Sequence, residues 1–456
     1  MSKNADLNGW RLANLSELGE VNRGRSRHRP RYAAHLYEGP YPFIQTGDIK
    51  ASGGRITSHQ QTYSEAGLAQ SRLWPEGTMC ITIAANIAET AILTYPACFP
   101  DSVIGFIADD SKCDVSFVEY TFRNLKKSIQ QEATGSVQDN INLQTLERLK
   151  FLLPPLAEQK AIAHILGTLD DKIEVNRRMN ETLEGMARAL FKSWFVDFDP
   201  VIDNALAAGD PIPEAFRDRA AQRAEAATSA ASQGRPFGLP KPLAAQFPNA
   251  FHDSDLGPIP EGWELSSIGQ HFRLTMGQSP PGSTYNERGE GLPFYQGRSD
   301  FGFRFPTRRV YCTSPKRLAQ LNDTLVSVRA PVGDVNMARE RCVIGRGVAA
   351  IRHNSGSRSF TYYSIHHLRE YFDRFEAEGT VFGSINKNDF QGLPFIAPTA
   401  DIASNFDRFA GPLDDRIQTC ARQSTALTVL RDTLLPKLLS GELRVRDAEK
   451  FVEAAV

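Results

Sequence analysis

Two stretches of this chain occur twice. Gly9-Trp10-Arg11-Leu12 returns as Gly262-Trp263-Glu264-Leu265, and Leu169-Asp170-Asp171-Lys172-Ile173 returns as Leu413-Asp414-Asp415-Arg416-Ile417. A duplicated unit folds twice, so the chain is constrained to two similar bodies in a pseudo-twofold molecule, which suits a pseudo-twofold partner. Gly262 lies 253 positions after Gly9, whereas Gly379, Asn386 and Leu413 each lie 244 positions after Gly135, Asn142 and Leu169. The offset drifts early and then locks. Insertions separate the copies in their first parts and none do from Gly135 onward, which is the behaviour of loops followed by packed helices.

Each copy therefore has a variable body and a fixed tail. The bodies run from about Leu7 to Leu153 and from Pro258 to Ala397. In the first, Thr78 to Ile83, Ala91 to Tyr95 and Val103 to Ile107 are short β-rich runs bounded by Pro, Gly, Asn and Asp. In the second, Thr324 to Val328 and Gly347 to Ile351 match them. Helical patches at Phe117 to Ile129 and Thr361 to Phe375 follow, so both bodies are expected to be mixed α/β. The tails are helical. From Pro154-Pro155, the residues Ile162, Leu166, Leu169, Ile173, Leu183, Leu190 and Trp194 keep a four-three spacing that predicts a buried seam to about Phe195. Phe406, Ala410, Leu413, Ile417, Leu427, Leu434 and Leu438 repeat it, with Pro436 expected to kink or end the last turn. Asn176, Asn180 and Ser424 are polar seam positions that would fix register. Helices of about 40 residues reach roughly 60 Å at 1.5 Å per residue. Between the copies, Asp203 to His252 is rich in Ala, Pro, Gln and Arg, with a loose helix over Ala220 to Ala231, and reads as a linker or else a small extra subdomain.

At 456 residues, with 41% hydrophobic and 23% charged side chains, the chain is globular and long enough for several domains. The polar start and the absence of any membrane-length apolar run predict a cytoplasmic protein with no membrane partner. Six scattered cysteines without a Cys-x-x-Cys pair predict neither disulfides nor a zinc site. A net charge of -1 means that any affinity for duplex DNA, the most familiar pseudo-twofold partner, must be local. Enzyme signatures are missing: no phosphate-cradling Gly-x-x-x-x-Gly-Lys loop, no Gly-x-Gly-x-x-Gly turn, no Asn/Asp-Pro-Pro-aromatic tetrapeptide of an amino-methyltransferase. Gly345-Arg346-Gly347 comes nearest and lacks the third glycine. His164, His366 and His367 have no second ligand at helical spacing and read as surface or core histidines. Asp170-Asp171 and Asp414-Asp415 point about 100° apart on a helix, too divergent to act on one substrate, and read as a solvated or partner-facing surface.

Several motifs in order carry a resemblance over nearly the full length. These are Leu153-Pro154-Pro155-Leu156-Ala157-Glu158-Gln159-Lys160-Ala161-Ile162 leading into Leu169-Asp170-Asp171-Lys172-Ile173; Ala189-Leu190-Phe191-Lys192-Ser193-Trp194-Phe195-Val196-Asp197-Phe198; Asp253-Ser254-Asp255-Leu256-Gly257-Pro258-Ile259-Pro260-Glu261-Gly262-Trp263; and Leu434-Leu435-Pro436-Lys437-Leu438-Leu439-Ser440-Gly441-Glu442-Leu443. They resemble the specificity subunit of type I restriction-modification systems. One departure is Pro398-Thr399-Ala400-Asp401 in place of the usual Pro-Pro-x-x-Glu-Gln opening of the second tail. The resemblance implies an α+β chain: target recognition domains over 1–153 and 258–397, helical conserved regions over 154–199 and 398–445 forming an antiparallel coiled coil, a linker over 200–257 and a tail over 446–456. It implies no catalysis and no cofactor in this chain. Two modification subunits, methylating adenine with S-adenosylmethionine, would dock on the helices, and ATP-driven restriction subunits would join them. The alternatives are a methyltransferase with degenerate motifs and a coiled-coil adaptor that binds only proteins.

Recognition domains share no transferable DNA-reading motif, so chemistry selects the DNA-binding candidates. Arginine fits guanine and amide side chains fit adenine. In the first body these are Arg23, Arg25, Arg27, Arg29 and Arg31, which alternate with Gly, Ser and Pro in an acid-free loop, together with Gln45, Thr46 and Asp48. In the second body they are Gln278, Ser279, Tyr285, Gln296, Arg298, Arg308, Arg309, Lys316 and Arg317. The segments Gly135 to Asn142 and Gly379 to Lys387 are matched Gly-and-amide loops that would approach a phosphate or base edge, or be structural turns with Asn142 and Asn386 capping helices.

Overall fold

The structure, a computed structural model, describes residues 9–28, 30, 32–84, 86–134, 143–377 and 383–456. It divides into two compact units, Met1–Arg177 with Ala421–Val456, and Arg178–Cys420.

In the first unit the β-rich runs assemble as expected. Five strands lie in the order Gly19–Arg23, Val103–Ala108, Met79–Thr82, Thr90–Leu93 and Arg55–Ile56. Met79 pairs with both Phe106 and Ile92, so this apolar strand is flanked on both sides, and all four of its side chains are buried. Central strands covered on both faces read as continuous apolar runs, which is why they are visible in the sequence. A ribbon joins Arg11–Ala13 to Phe151–Leu153, bringing the start of the body to its end. Val115–Thr134 supplies the expected helix.

The second unit repeats this order. Phe272–Met276, Val348–His353, Thr324–Ser327 and Val335–Met337 form a sheet with the same connectivity, and Glu264–Ser267 pairs with Pro394–Ala397 as the closing ribbon. A further sheet has the order Tyr285–Asn286, Val310–Cys312, Leu292–Tyr295, Cys342–Ile344 and Leu318–Ala319. The single helix expected over Thr361 to Phe375 is two, Arg358–His367 and Arg369–Ala377.

The tails are helices Leu156–Phe195 and Ala400–Leu439, the second ending three residues after Pro436. Within the first unit Ile162, Leu166, Leu169, Leu427, Leu434 and Leu438 share one core, with Ile173 against it, and Asn176 Nδ2 donates to Gln423 Oε1 at 3.2 Å. Within the second unit Trp194 packs on Phe406 at 5.7 Å, and Ile417 is buried. Leu183, Leu190 and Leu413 are only half-buried; the buried stripe runs instead through Asn180, Glu184, Ala187 and Phe191. A straight helix turns once per 3.6 residues, so a strict seven-residue spacing drifts off the covered face.

Two expectations are corrected. Asp170 and Asp414 are not solvated: Asp170 accepts from Tyr120 Oη (2.7 Å) and Arg431 (2.6 Å), and Asp414 from Tyr363 Oη (2.9 Å) and Arg304 (2.5 Å). Their neighbours Asp171 and Asp415 are the exposed members, paired with Arg55 and Arg358. The segment read as a linker or else a small subdomain is folded, with helices Asp199–Ala208 and Arg217–Ser232, the second containing the helix expected over Ala220 to Ala231. Arg219 grips Asp199 through two 2.7 Å bonds, Arg223 pairs with Asp203 one turn further, and Asn204 Nδ2 donates to Ala244 O and Phe247 O. These ties join residues 20 and 40 positions apart, which composition does not display.

Candidate nucleic-acid interface

In the first unit the strand Gly19–Arg23 runs into the arginine-rich segment. Gly24 N–H donates to Val103 O (2.8 Å) and Arg25 N–H to Phe99 O (3.2 Å). A Cβ on Gly24 would stand 2.3 Å from Pro100 O, so only glycine passes here. Ser71 Oγ donates to Arg25 O (2.9 Å), fixing the backbone while the side chains project outward. Arg23, Arg25 and Arg27 are exposed and make no ion pair among the described residues. Arg29 and Arg31 lie outside the described residues, as does the loop Gly135 to Asn142.

Gln45 ends the neighbouring run. Its backbone N–H donates to Asp48 Oδ2 (2.8 Å), and its amide donates to Gln61 Oε1 (2.6 Å). Asp48 is thereby the third residue of a capping box at helix Thr46–Ala51, a structural task that occupies its carboxylate, and Thr46 is half-buried in the first turn.

The second unit builds the same corner with different side chains. Gly277 N–H donates to Val348 O (2.9 Å), and a Cβ on Gly277 would stand 2.2 Å from Gly345 O. Gln278 N–H donates to Ile344 O (3.0 Å), Gly345 N–H to Tyr295 O (2.8 Å) and Ile344 N–H to Arg317 O (3.0 Å). Arg346 N–H reaches Ser279 Oγ at 3.3 Å, and Tyr285 Oη donates to Pro280 O at 2.7 Å. Burial raises the Tyr285 phenol, so it remains a neutral donor. Five residues chosen from sequence, Gln278, Ser279, Tyr285, Gln296 and Arg317, thus gather around Gly345-Arg346-Gly347. Arg346, set aside as part of a failed nucleotide motif, stands at their centre. The signal that would have found it is the close approach of three glycines, 277, 345 and 347.

The remaining arginines sort by partner. Arg298 is paired with Asp334, Arg308 with Glu340 (2.6 Å) and Arg309 with Asp300, and charges so neutralised hold their own loops. Lys316, Arg317 and Arg346 are exposed without an ion pair among the described residues. Gly379 to Phe382 lie outside the described residues; Asn386 caps helix Lys387–Gly392, its side chain accepting from Asp389 N–H at 3.0 Å.

Among the described residues no group of three or more His, Cys, Asp or Glu is placed to hold a metal ion, and no helix is long and apolar enough to cross a membrane. All six cysteines are free and buried, and burial pushes Cys98 up to about 11 and Cys113 and Cys342 to about 12, so these three are inert thiols rather than nucleophiles. Burial lowers His366 to about 4, with Arg188, Arg304 and Arg369 adding to it.

Residues 8–185 match the family described as the type I restriction modification DNA specificity domain. The chain is 30% identical over 335 residues to the putative MjaX type I restriction enzyme specificity subunit of Methanocaldococcus jannaschii, an alignment covering 71% of this chain and 66% of that protein. It is 28% identical over 339 residues to the HindI specificity subunit of Haemophilus influenzae, covering 70% and 74%. With the MjaIX specificity subunit of M. jannaschii it is 22% identical over 463 residues, 96% and 94% of the two chains. A crystal structure of the type I restriction-modification S subunit from M. genitalium shares the fold, with a TM-score of 0.53 at 16% identity over 96% of this chain and 98% of that one. With its α+β architecture and these relatives, the chain belongs to the family of type I restriction-modification specificity subunits.

Proposed function

We propose that this chain is the non-catalytic DNA-reading subunit of such a system, recognising a split, asymmetric site with one half-site per body. The observation that carries the reading is the pair of matched corners. One backbone framework, a glycine after the first sheet strand bonded to a valine carbonyl, presents Arg25 and its neighbours in one unit and Gln278, Ser279 and Arg346 in the other. Equal scaffolds with unequal side chains suit two different base sequences.

The long helices serve as the spacer, paired as an antiparallel coiled coil. In support, Asp170 meets Arg431 and Asn176 meets Gln423 in the first unit, so partners ascend on one helix as they descend on the other. Trp194 meeting Phe406 continues that order in the second. Two modification subunits carrying S-adenosylmethionine dock on this helical region, and restriction subunits join them in the cytoplasm. The half-sites then lie about one duplex turn apart, roughly 34–36 Å. Methylome sequencing of cells carrying the chain with its modification subunit tests the whole reading. It should show a two-part motif with adenine modified in both halves; a continuous or palindromic motif, or none, would defeat it.

A further inference from the structure

The hydrogen bonds place the two corners in residue-by-residue register. Gly24 N–H bonds Val103 O as Gly277 N–H bonds Val348 O, and the forbidden Cβ positions face Pro100 O and Gly345 O respectively. Val103 is therefore the counterpart of Val348, and Pro100 of Gly345. Counting one residue on, Asp101 in the first unit occupies the place of Arg346 in the second, while Arg25 occupies the place of Gln278. The charge pattern is inverted: a cation on the strand's exit beside an acid on the turn in one unit, a neutral amide beside a cation on the turn in the other.

Arg346 is held for binding rather than for packing. Its backbone is pinned by Ser279 Oγ, the glycine after it admits no side chain, a Cβ on Gly347 meeting Gln296 O at 2.4 Å, and its exposed guanidinium has no ion pair among the described residues. The groups gathered around it, Gln278, Ser279 and Gln296, are uncharged and exposed. A guanidinium on a rigid turn among amides and a hydroxyl matches the paired acceptors O6 and N7 of guanine. Three exposed arginines in the same unit, Arg298, Arg308 and Arg309, by contrast point into carboxylates.

We propose that Arg346 reads a guanine in the half-site of the second body. This rests on the DNA-reading function proposed above. The test uses the full chain in complex with its modification subunit, selected against duplexes randomised over both half-sites, as wild type, Arg346→Gln and Arg346→Lys. Wild type should select a two-part motif; failure to do so overturns the function and this inference together. Given that motif, Arg346→Gln should lose about ten- to a hundredfold of its preference for guanine at one position of one half-site. Arg346→Lys should keep part of it, and the other half-site should be unchanged by both. If Arg346→Gln binds more weakly but keeps every base preference, Arg346 grips phosphate instead and the inference fails while the function stands. Unchanged binding and preference overturns it equally.

Discussion

Arg304 is 1% exposed, lies over the Tyr362 ring at 3.4 Å, and faces Asp414 at 2.5 Å and Glu184 at 3.6 Å. Burial works against its charge, but Tyr362, Asp414, Tyr363 and Glu184 more than offset that and raise its affinity for the proton. Removing it strands two carboxylates in the interior. Arg304→Ala should cost about 3–5 kcal/mol in urea unfolding of the second unit, and adding Asp414→Asn should restore part of the loss. The exposed arginines behave differently. Neutralising Arg25 and Arg27 together should leave stability unchanged and flatten the plot of log K against log salt by about 0.9 for each phosphate the loop no longer neutralises. An unaltered slope would remove that loop from the interface. Acid should also find the second unit. Burial, aided by His271, lowers His353 to about 4, and His366 is lowered to a similar value. Groups held below their unfolded pKa contribute stability above about 6.5 that is lost as pH falls toward 4. The denaturation midpoint of the second unit should therefore drop between about pH 7 and 5, and His366→Gln should reduce that drop.

At the scale of elements, what the sequence displayed depended on how local the cause was. Strands such as Met79–Thr82 and Thr324–Ser327, buried along their whole length, announced themselves as apolar runs. The helices Leu156–Phe195 and Ala400–Leu439 were legible from spacing and from prolines at the first helix's start. In the insert between the copies the helix over Ala220 to Ala231 was legible, but its packing was not, because that comes from Asp199–Arg219 and Asp203–Arg223 pairs far apart in sequence. The seam lies elsewhere in its middle because a straight helix outruns a seven-residue spacing, which brings Glu184 inward to face Arg304, a residue more than a hundred positions away. In the candidate interface the amides and hydroxyls were found and Arg346 was missed, since its setting depends on carbonyls approaching glycines across three segments. The proposed spacer role is tested at this scale. Inserting seven residues into each long helix at facing positions adds about 10.5 Å, or roughly three base pairs at 3.4 Å each, to the permitted gap between half-sites. An unchanged gap in the methylated motif would show that the helices do not set it.

For the whole molecule the informative fact is which segments make up each unit. The second, Arg178–Cys420, is continuous in sequence, whereas the first joins Met1–Arg177 to Ala421–Val456. Leu427, Leu434, Leu438, Ala448 and Val452 sit in the same core as Met79, Phe106 and Leu166. Ending the chain at Cys420 should accordingly leave a protease-resistant fragment of the second unit and a readily digested first body, which limited proteolysis followed by mass spectrometry will resolve. On the ribosome the birth order is reversed at completion: the half translated first must wait, its apolar interior open, while the half translated later closes on its own. Chaperone occupancy during synthesis should therefore linger on the earliest-made body until the last residues emerge.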